Sequence, residues 1–169
     1  MSGKAEKIIL WFEELRKDDV PLVGGKCANL GEMMAAGIPV PPGFAVTATA
    51  YKRFITETGI AEKIYNIIEE VVTDKSDPEQ YKEASRRVRE LIETTPMPDY
   101  IKDAIRESYR KLSEKVGATQ VFVAVRSSAT AEDLPDASFA GQQETYLNVV
   151  GEDELRGALE DVLLSSSAA

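Results

Sequence analysis

Histidine is absent from this sequence, and cysteine occurs once, as Cys27. Without histidine the chain contains no Ser-His-Asp triad, no histidine metal site and no phosphohistidine. A lone cysteine excludes an internal disulfide and is compatible with a reducing compartment. We therefore expect a cytoplasmic protein whose chemistry depends on other residue types.

Long apolar runs and an excess of positive charge are also missing. No stretch of about 18 apolar residues occurs, which predicts neither a membrane span nor a signal peptide. The chain has 20 Lys and Arg against 29 Asp and Glu, so its net charge is -9. An acidic chain gains little from counterion release, so we exclude nucleic acid as a partner. Any anion site must therefore be local, built from a few cations and backbone amides.

The sequence does contain enough apolar residues for a core. Hydrophobic residues make up 43% of 169 positions, which suits one domain or a large piece of one. Short β-prone runs near Ile8, Phe44, Val121 and Thr145 alternate with amphipathic helical segments. This pattern predicts a mixed α/β fold in which several helices pack on a small mixed sheet.

The run from Val121 to Val125 is apolar without alternation, which predicts a central strand covered on both faces. Arg126, Ser127 and Ser128 follow it directly, at the strand end where open α/β sheets place their ligands. Arginine offers a planar fork for phosphate oxygens, and the two hydroxyls can donate or accept beside it. The alternative is an arginine paired with a surface carboxylate.

Gly24, Gly25 and Lys26 precede a segment with helical spacing, from about residue 26 to residue 36. Glycines permit close approach of a ligand, and a helix start presents unpaired N–H groups. The spacing of a Walker A motif is absent, so an exposed lysine at a helix start remains the alternative. Cys27 lies in that first turn, where its thiol pKa could fall, although we favour an inert small residue.

A long polar stretch, residues 130–144, is too proline-broken for regular structure, and such loops are often functional. Gly141 permits close backbone approach, and Gln142, Gln143 and Thr145 can ring a phosphate or the waters of Mg²⁺. Four acids could be solvated or act as indirect Mg²⁺ partners. These are Glu132, Asp133, Asp136 and Glu144.

The middle of the chain, residues 57–115, interleaves charges of both signs along apolar helical faces. We interpret this segment as solvated amphipathic helices without a role in binding. A last helix is predicted over residues 151–164, with an uninformative tail at 165–169.

Two blocks carry a family resemblance. Residues 22–33, which include Gly24-Gly25-Lys26, and residues 124–149, which include Arg126-Ser127-Ser128 and the Gly141 loop, resemble the N-terminal nucleotide-binding domain of the phosphoenolpyruvate synthases and related pyruvate dikinases. The likeness runs in order from about Ile8 to about Leu164. Residues 37–44 also fit the start of the family.

The resemblance implies an ATP-grasp-like domain that binds ATP with Mg²⁺. Enzymes of this family convert ATP, pyruvate and water to AMP, phosphoenolpyruvate and phosphate. A phosphohistidine on a separate swivelling domain carries the phosphoryl group to a pyruvate-binding barrel. By position, Lys26 and Arg126 match the phosphate-binding cations of the family, and the Gly141 loop matches the segment that closes over the phosphates.

The resemblance also sets limits on this chain. Its residues 1–169 correspond to the first part of the ATP-binding domain, and they contain neither the phosphohistidine nor the Mg²⁺ ligands of the second half. We therefore expect no catalytic residue and no metal ligand in this chain, and the chain alone to be inactive. Two other hypotheses remain: the nucleotide domain of pyruvate, phosphate dikinase or another dikinase, and a non-catalytic module that binds a nucleotide or partner.

Overall fold

A computed structural model describes residues 3–128 and 145–167, with side chains through residue 159. Within these residues the chain is mixed α/β, as the sequence predicts. The helices are Val20–Ala35 (α1), Ala48–Glu57 (α2), Ile60–Val71 (α3), Pro78–Thr94 (α4), Asp99–Lys115 (α5) and Glu152–Ser167 (α6). The strands are Ile9–Trp11 (β1), Phe44–Val46 (β2), Val123–Arg126 (β3) and Thr145–Val149 (β4).

The four strands lie where the sequence predicts them, but they do not join into one mixed sheet. In the described residues β1 pairs with β2 and β3 pairs with β4, and both pairs are antiparallel. The first pair is packed on both sides. Leu10 and Ala45 face one apolar cluster, while Ile9 and Val46 pack against another. The cluster behind Ile9 and Val46 also contains Val125 and Val149 of the second pair, so one apolar cluster lies against both strand pairs.

Helix α1 is broken at its second turn. Gly24 has φ 77° and ψ 165°, so a short helical turn from Val20 ends there and a longer helix follows. Met33 and Ile38, which fall at helical spacing in the sequence, are exposed rather than buried. The buried face instead carries small residues. Gly31 lies there because a Cβ at this position would overlap the Leu15 side chain and carbonyl group.

The helix ends follow local sequence signals. Thr47 Oγ1 accepts the Ala50 N–H at 3.3 Å, which caps α2. Asp77 caps α4 by accepting the Glu79 N–H at 2.9 Å, with Pro78 at the first helical position. Both caps lie next to the helix start in the sequence, so these starts depend on short-range interactions.

The mixed-charge helices α3, α4 and α5 carry their charges on the surface. Arg86, for example, pairs with Glu83 at 2.8 Å and Glu90 at 3.2 Å along one exposed face. Exposed pairs of this kind contribute little to stability. The interpretation of this segment as a solvated surface is therefore confirmed.

Helix α5 positions the strand pair that carries Arg126. Its residues Ile101, Ile105, Tyr109 and Leu112 are buried. The hydroxyl of Tyr109 donates to the Val121 carbonyl oxygen at 2.7 Å. The β3–β4 pair also packs on α6, which continues to Ser167 rather than ending at residue 164.

None of the helices within residues 3–128 and 145–167 is long and apolar enough to cross a bilayer.

Candidate functional site

Arg126 lies at the end of β3, as the sequence predicts. In the β3–β4 register it stands directly opposite Thr145. The Arg126 side chain is exposed, and the ion pairs formed within residues 3–128 and 145–167 do not include it. The alternative of a closed surface ion pair therefore receives no support from the described part of the chain.

In the part of the chain that the structure describes, strand β3 is covered on one face, in contrast to the predicted strand buried on both faces. Val125 is 6% exposed, whereas its neighbour Phe122 in the run is 69% exposed. On the partner strand Leu147 is also exposed. The run does not alternate apolar with polar residues because an apolar side chain occupies the outer face of the strand as well. Residue type alone therefore could not separate the two faces.

Ser127 and Arg126 differ in their surroundings. Arg126 is exposed, while Ser127 is only 3% exposed, and its Oγ has no hydrogen-bond partner in the part of the chain that the structure describes. The exposed residues Ala124 and Arg126 alternate with the buried Val125 and Ser127, which places Ser127 on the inner side. The strand end thus presents the guanidinium outward and the first hydroxyl inward.

The glycine turn lies in α1, at the break in the helix. Gly24 and Gly25 are buried and Lys26 is exposed. The conformation of Gly24 is one that essentially only glycine adopts. The helix that begins after it directs its first backbone N–H groups toward the break. Such a helix start favours an anion, and Lys26 adds a positive charge in its first turn.

The two motifs meet in the folded chain. Ser128 packs on the backbone of Gly24, where a Cβ would overlap the Ser128 carbonyl oxygen and Oγ. The Cys27 N–H donates to Ser128 Oγ at 3.3 Å. We call this contact, between Gly24 and Cys27 on one side and Ser128 on the other, the glycine–serine seam.

The seam limits how far apart the two predicted cations lie. Lys26 precedes Cys27 directly, and Arg126 lies two residues before Ser128. Standard covalent dimensions place their Cα atoms no more than about 15 Å apart across this contact. Both side chains are long and exposed, so this separation permits both head groups to reach one phosphate chain.

Cys27 is mostly buried beside the seam. Burial raises the pKa of its thiol, while a hydrogen bond with Ser128 and the charge of Lys26 act weakly in the opposite direction. A raised pKa disfavours the thiolate, which is the nucleophilic form. This direction is opposite to the lowered pKa considered for a cysteine in the first helical turn.

Several predicted residues fall outside the described residues. These are Gly141, Gln142 and Gln143 of the phosphate loop and the acids Glu132, Asp133, Asp136 and Glu144. Within residues 3–128 and 145–167, no group of three or more acidic or cysteine side chains could hold a metal ion.

Sequence reasoning missed the seam between Gly24 and Ser128. The Gly24-Gly25 pair indicated close approach, but the partner lies about 100 residues away in the chain. No local sequence pattern predicts which segment will pack against the glycines, so only the folded chain identifies Ser128.

Comparison with known proteins identifies the family. The family described as pyruvate phosphate dikinase, AMP/ATP-binding domain matches residues 20–169. A phosphoenolpyruvate synthase from Aeropyrum pernix is 59% identical over 149 residues, covering 88% of this chain and 18% of that protein. A probable phosphoenolpyruvate synthase from Archaeoglobus fulgidus is 61% identical over 147 residues, covering 87% of this chain and 19% of its own length.

A third relative, the phosphoenolpyruvate synthase of Pyrococcus furiosus, is 47% identical and covers 89% of this chain and 22% of that protein. The chain spans about a fifth of the length of these curated relatives. The match includes both the glycine turn and the strand that ends at Arg126. On this basis the chain belongs to the pyruvate phosphate dikinase AMP/ATP-binding domain family.

Proposed function

We propose that this chain binds the phosphates of ATP between the helix start at Lys26 and the strand end at Arg126. The observation that carries the proposal is the glycine–serine seam, which joins the two motifs across the fold. Two cations and a helix start near one another form a local anion site on a chain of net charge -9. Thr145, opposite Arg126, adds a hydroxyl at the same strand end.

The remaining contacts are proposed from the family resemblance. Gly141, Gln142 and Gln143 would close over the phosphates from the loop that precedes β4. Since the described residues hold no cluster of acids suited to Mg²⁺, we propose that the ion arrives with the nucleotide. When bound, Mg²⁺ would neutralise phosphate charge, while Lys26 and Arg126 would orient the phosphate oxygens.

The chain would act as the first part of the ATP-binding domain of a longer phosphoenolpyruvate synthase. Its relatives carry that name and are about five times as long. Such an enzyme would convert ATP, pyruvate and water to AMP, phosphoenolpyruvate and phosphate in the cytoplasm. By the family resemblance, the phosphoryl group would travel on a histidine of a swivelling domain to a pyruvate-binding barrel. This chain itself contains no histidine.

Another dikinase, such as pyruvate, phosphate dikinase, would use the same nucleotide site with a different phosphoryl acceptor. The names of the relatives favour the water-using enzyme. A non-catalytic nucleotide-binding module is the second candidate. The absence of histidine favours it for this polypeptide by itself.

Binding of Mg·ATP to the ¹⁵N-labelled chain, followed by nuclear magnetic resonance, tests the proposed site. We expect weak binding, with the largest shifts at the amides of residues 24–27 and 126–128. Arg126→Ala and Lys26→Ala should each weaken binding by about tenfold or more, since each removes a charged contact worth roughly 1.5–3 kcal/mol.

Arg86→Ala is the matched control, because Arg86 pairs only with acids on an exposed face of α4. This variant should bind Mg·ATP as the wild-type chain does. Equal weakening by Arg86→Ala, or shifts confined to a different surface, would overturn the proposed site.

A chimera tests the enzymatic role. Residues 20–164 of this chain would replace the matching segment of the Aeropyrum pernix phosphoenolpyruvate synthase, and AMP formation from ATP and pyruvate would be measured. We expect activity in the chimera and a loss of at least about a hundredfold when it carries Arg126→Ala. A folded chimera that binds ATP without forming AMP would instead favour the non-catalytic module.

A further inference from the structure

Ser128 occupies an unusual position relative to the glycine turn. It packs on the backbone of Gly24 at the break in α1, where any side chain at residue 24 would displace it. Gly24 combines this close contact with φ 77°, so two independent features require glycine there. The sequence therefore keeps residue 24 free of a side chain at the point where Ser128 docks.

The helix after Gly24 lacks a cap of its own. A helix start is usually capped by a side-chain oxygen that accepts the N–H of the second or third helical residue. Gly24 precedes that helix and has no side chain to offer. Ser128 Oγ accepts the N–H of Cys27, the third residue after Gly24, at 3.3 Å. A residue 101 positions away thus performs the work of a local cap.

The Ser128 hydroxyl makes a hydrogen bond within the protein. A hydroxyl has one proton to donate and two lone pairs that accept. The hydroxyl accepts the Cys27 N–H at 3.3 Å, which occupies one of its lone pairs and ties Ser128 to the start of the helix.

We propose that Ser128 is a positioning residue, whose hydroxyl holds the start of the Lys26 helix against the end of the Arg126 strand so that both cations face one polyphosphate. This inference rests on the proposed function and extends it. Ser128 changes roles, from a predicted phosphate contact to the residue that sets the spacing of the two cations. Removing its hydroxyl should leave both cations present but less often correctly placed.

Cys27 provides a direct measurement of the seam, because it is the single cysteine of the chain. Its rate of alkylation by iodoacetamide reports how often the seam opens. Linkage requires that a ligand which binds better to the closed seam also favours closing. Saturating Mg·ATP should therefore slow alkylation of the wild-type chain severalfold.

The variants compare Ser128→Ala and Ser128→Thr with Ser113→Ala. Ser113 is a matched control because its buried Oγ also accepts a backbone N–H, that of Val121 at 3.1 Å, before the same strand. Ser128→Ala should weaken Mg·ATP binding by about tenfold, raise the Cys27 alkylation rate and abolish the effect of Mg·ATP on that rate. Ser128→Thr should restore affinity to within about threefold, while Ser113→Ala should change stability alone.

The outcomes separate this inference from the function on which it rests. If the wild-type chain binds Mg·ATP and Arg126→Ala does not, but Ser128→Ala binds normally, the positioning role is wrong and the site stands. If the wild-type chain does not bind Mg·ATP, both are rejected. Should Ser128→Ala fail to fold, the wild-type alkylation rate decides: no change with Mg·ATP would overturn the inference.

Discussion

The hydroxyl of Tyr109 donates to the Val121 carbonyl oxygen at 2.7 Å and accepts the Gly151 N–H at 2.8 Å. Tyr109 is 2% exposed, so both contacts lie inside the protein. One side chain of α5 thereby joins the segment leading into β3 to the segment leading into α6. The strand that ends at Arg126 is fixed at its beginning by this residue.

Tyr109→Phe should destabilise the chain by about 2–3 kcal/mol, because a backbone carbonyl and a backbone N–H both lose their partner away from water. Urea unfolding measures this change. Tyr81→Phe is the control, since Tyr81 is 48% exposed, and it should change stability by less than about 0.5 kcal/mol. Equal effects of the two variants would contradict the role of Tyr109.

Thr47 combines a helix cap with a second contact. Its Oγ1 accepts the Ala50 N–H and donates to the Lys7 carbonyl oxygen at 2.7 Å, and the residue is 1% exposed. Thr47→Ala should cost about 2 kcal/mol in thermal or urea unfolding. Thr49→Ala removes a comparable bond to the Ala5 carbonyl oxygen at a more exposed position and should cost clearly less. The reverse order would show that burial does not govern these two bonds.

Asp19 should make the free energy of unfolding depend on pH in the acidic range. Burial raises the pKa of its carboxyl, but hydrogen bonds from Lys4 and from the Arg16 backbone outweigh burial and hold the pKa below its usual value. A lowered pKa in the folded state contributes stability above the unfolded pKa of about 3.9. That contribution is lost as the pH falls through the folded pKa.

Asp19→Asn should therefore cost about 1–2 kcal/mol at pH 7 and progressively less as Asp19 becomes protonated below about pH 4. Urea unfolding at pH 7 and at pH 3 measures the difference. Asp18→Asn is the neighbouring control, because Asp18 is exposed. A loss that is the same at both pH values would rule out the carboxylate charge as its cause.

The burial of β3 on one side predicts that substitutions on its two faces will change stability by different amounts. Val125→Thr places a hydroxyl in the core with little change of shape and should cost about 1–3 kcal/mol. Phe122→Thr changes a side chain that is 69% exposed and should cost less than about 0.5 kcal/mol. Thermal unfolding of the two variants distinguishes them. A large loss for Phe122→Thr would mean that the outer face is covered in solution.

Local sequence rules identified many of the elements because the physics behind them is local. Asp77 caps the start of α4 and Pro78 occupies its first position, whatever packs nearby. The apolar spacing of α5 places Ile101 and Ile105 on one face, and that face is buried. Features of this kind can be read from the sequence because they depend on residues a few positions apart.

Predictions that depended on pairing were less reliable. The run from Val121 to Val125 could not reveal which face of β3 would be covered, since both faces carry apolar side chains. The same limit affected α1, where Gly31 rather than Met33 faces the core because Leu15 approaches closely. Which side is buried depends on partners that lie elsewhere in the chain.

By itself the sequence determined the family, the fold class and the two phosphate-binding candidates, Lys26 and Arg126. The family followed from the resemblance of residues 22–33 and 124–149, the fold class from the pattern of apolar runs, and the two candidates from the chemistry of their side chains. The tertiary structure alone decided that Ser128 docks on Gly24 and brings the two motifs together. A contact between residues about 100 positions apart depends on the packing of every element between them, and no local pattern encodes that distance.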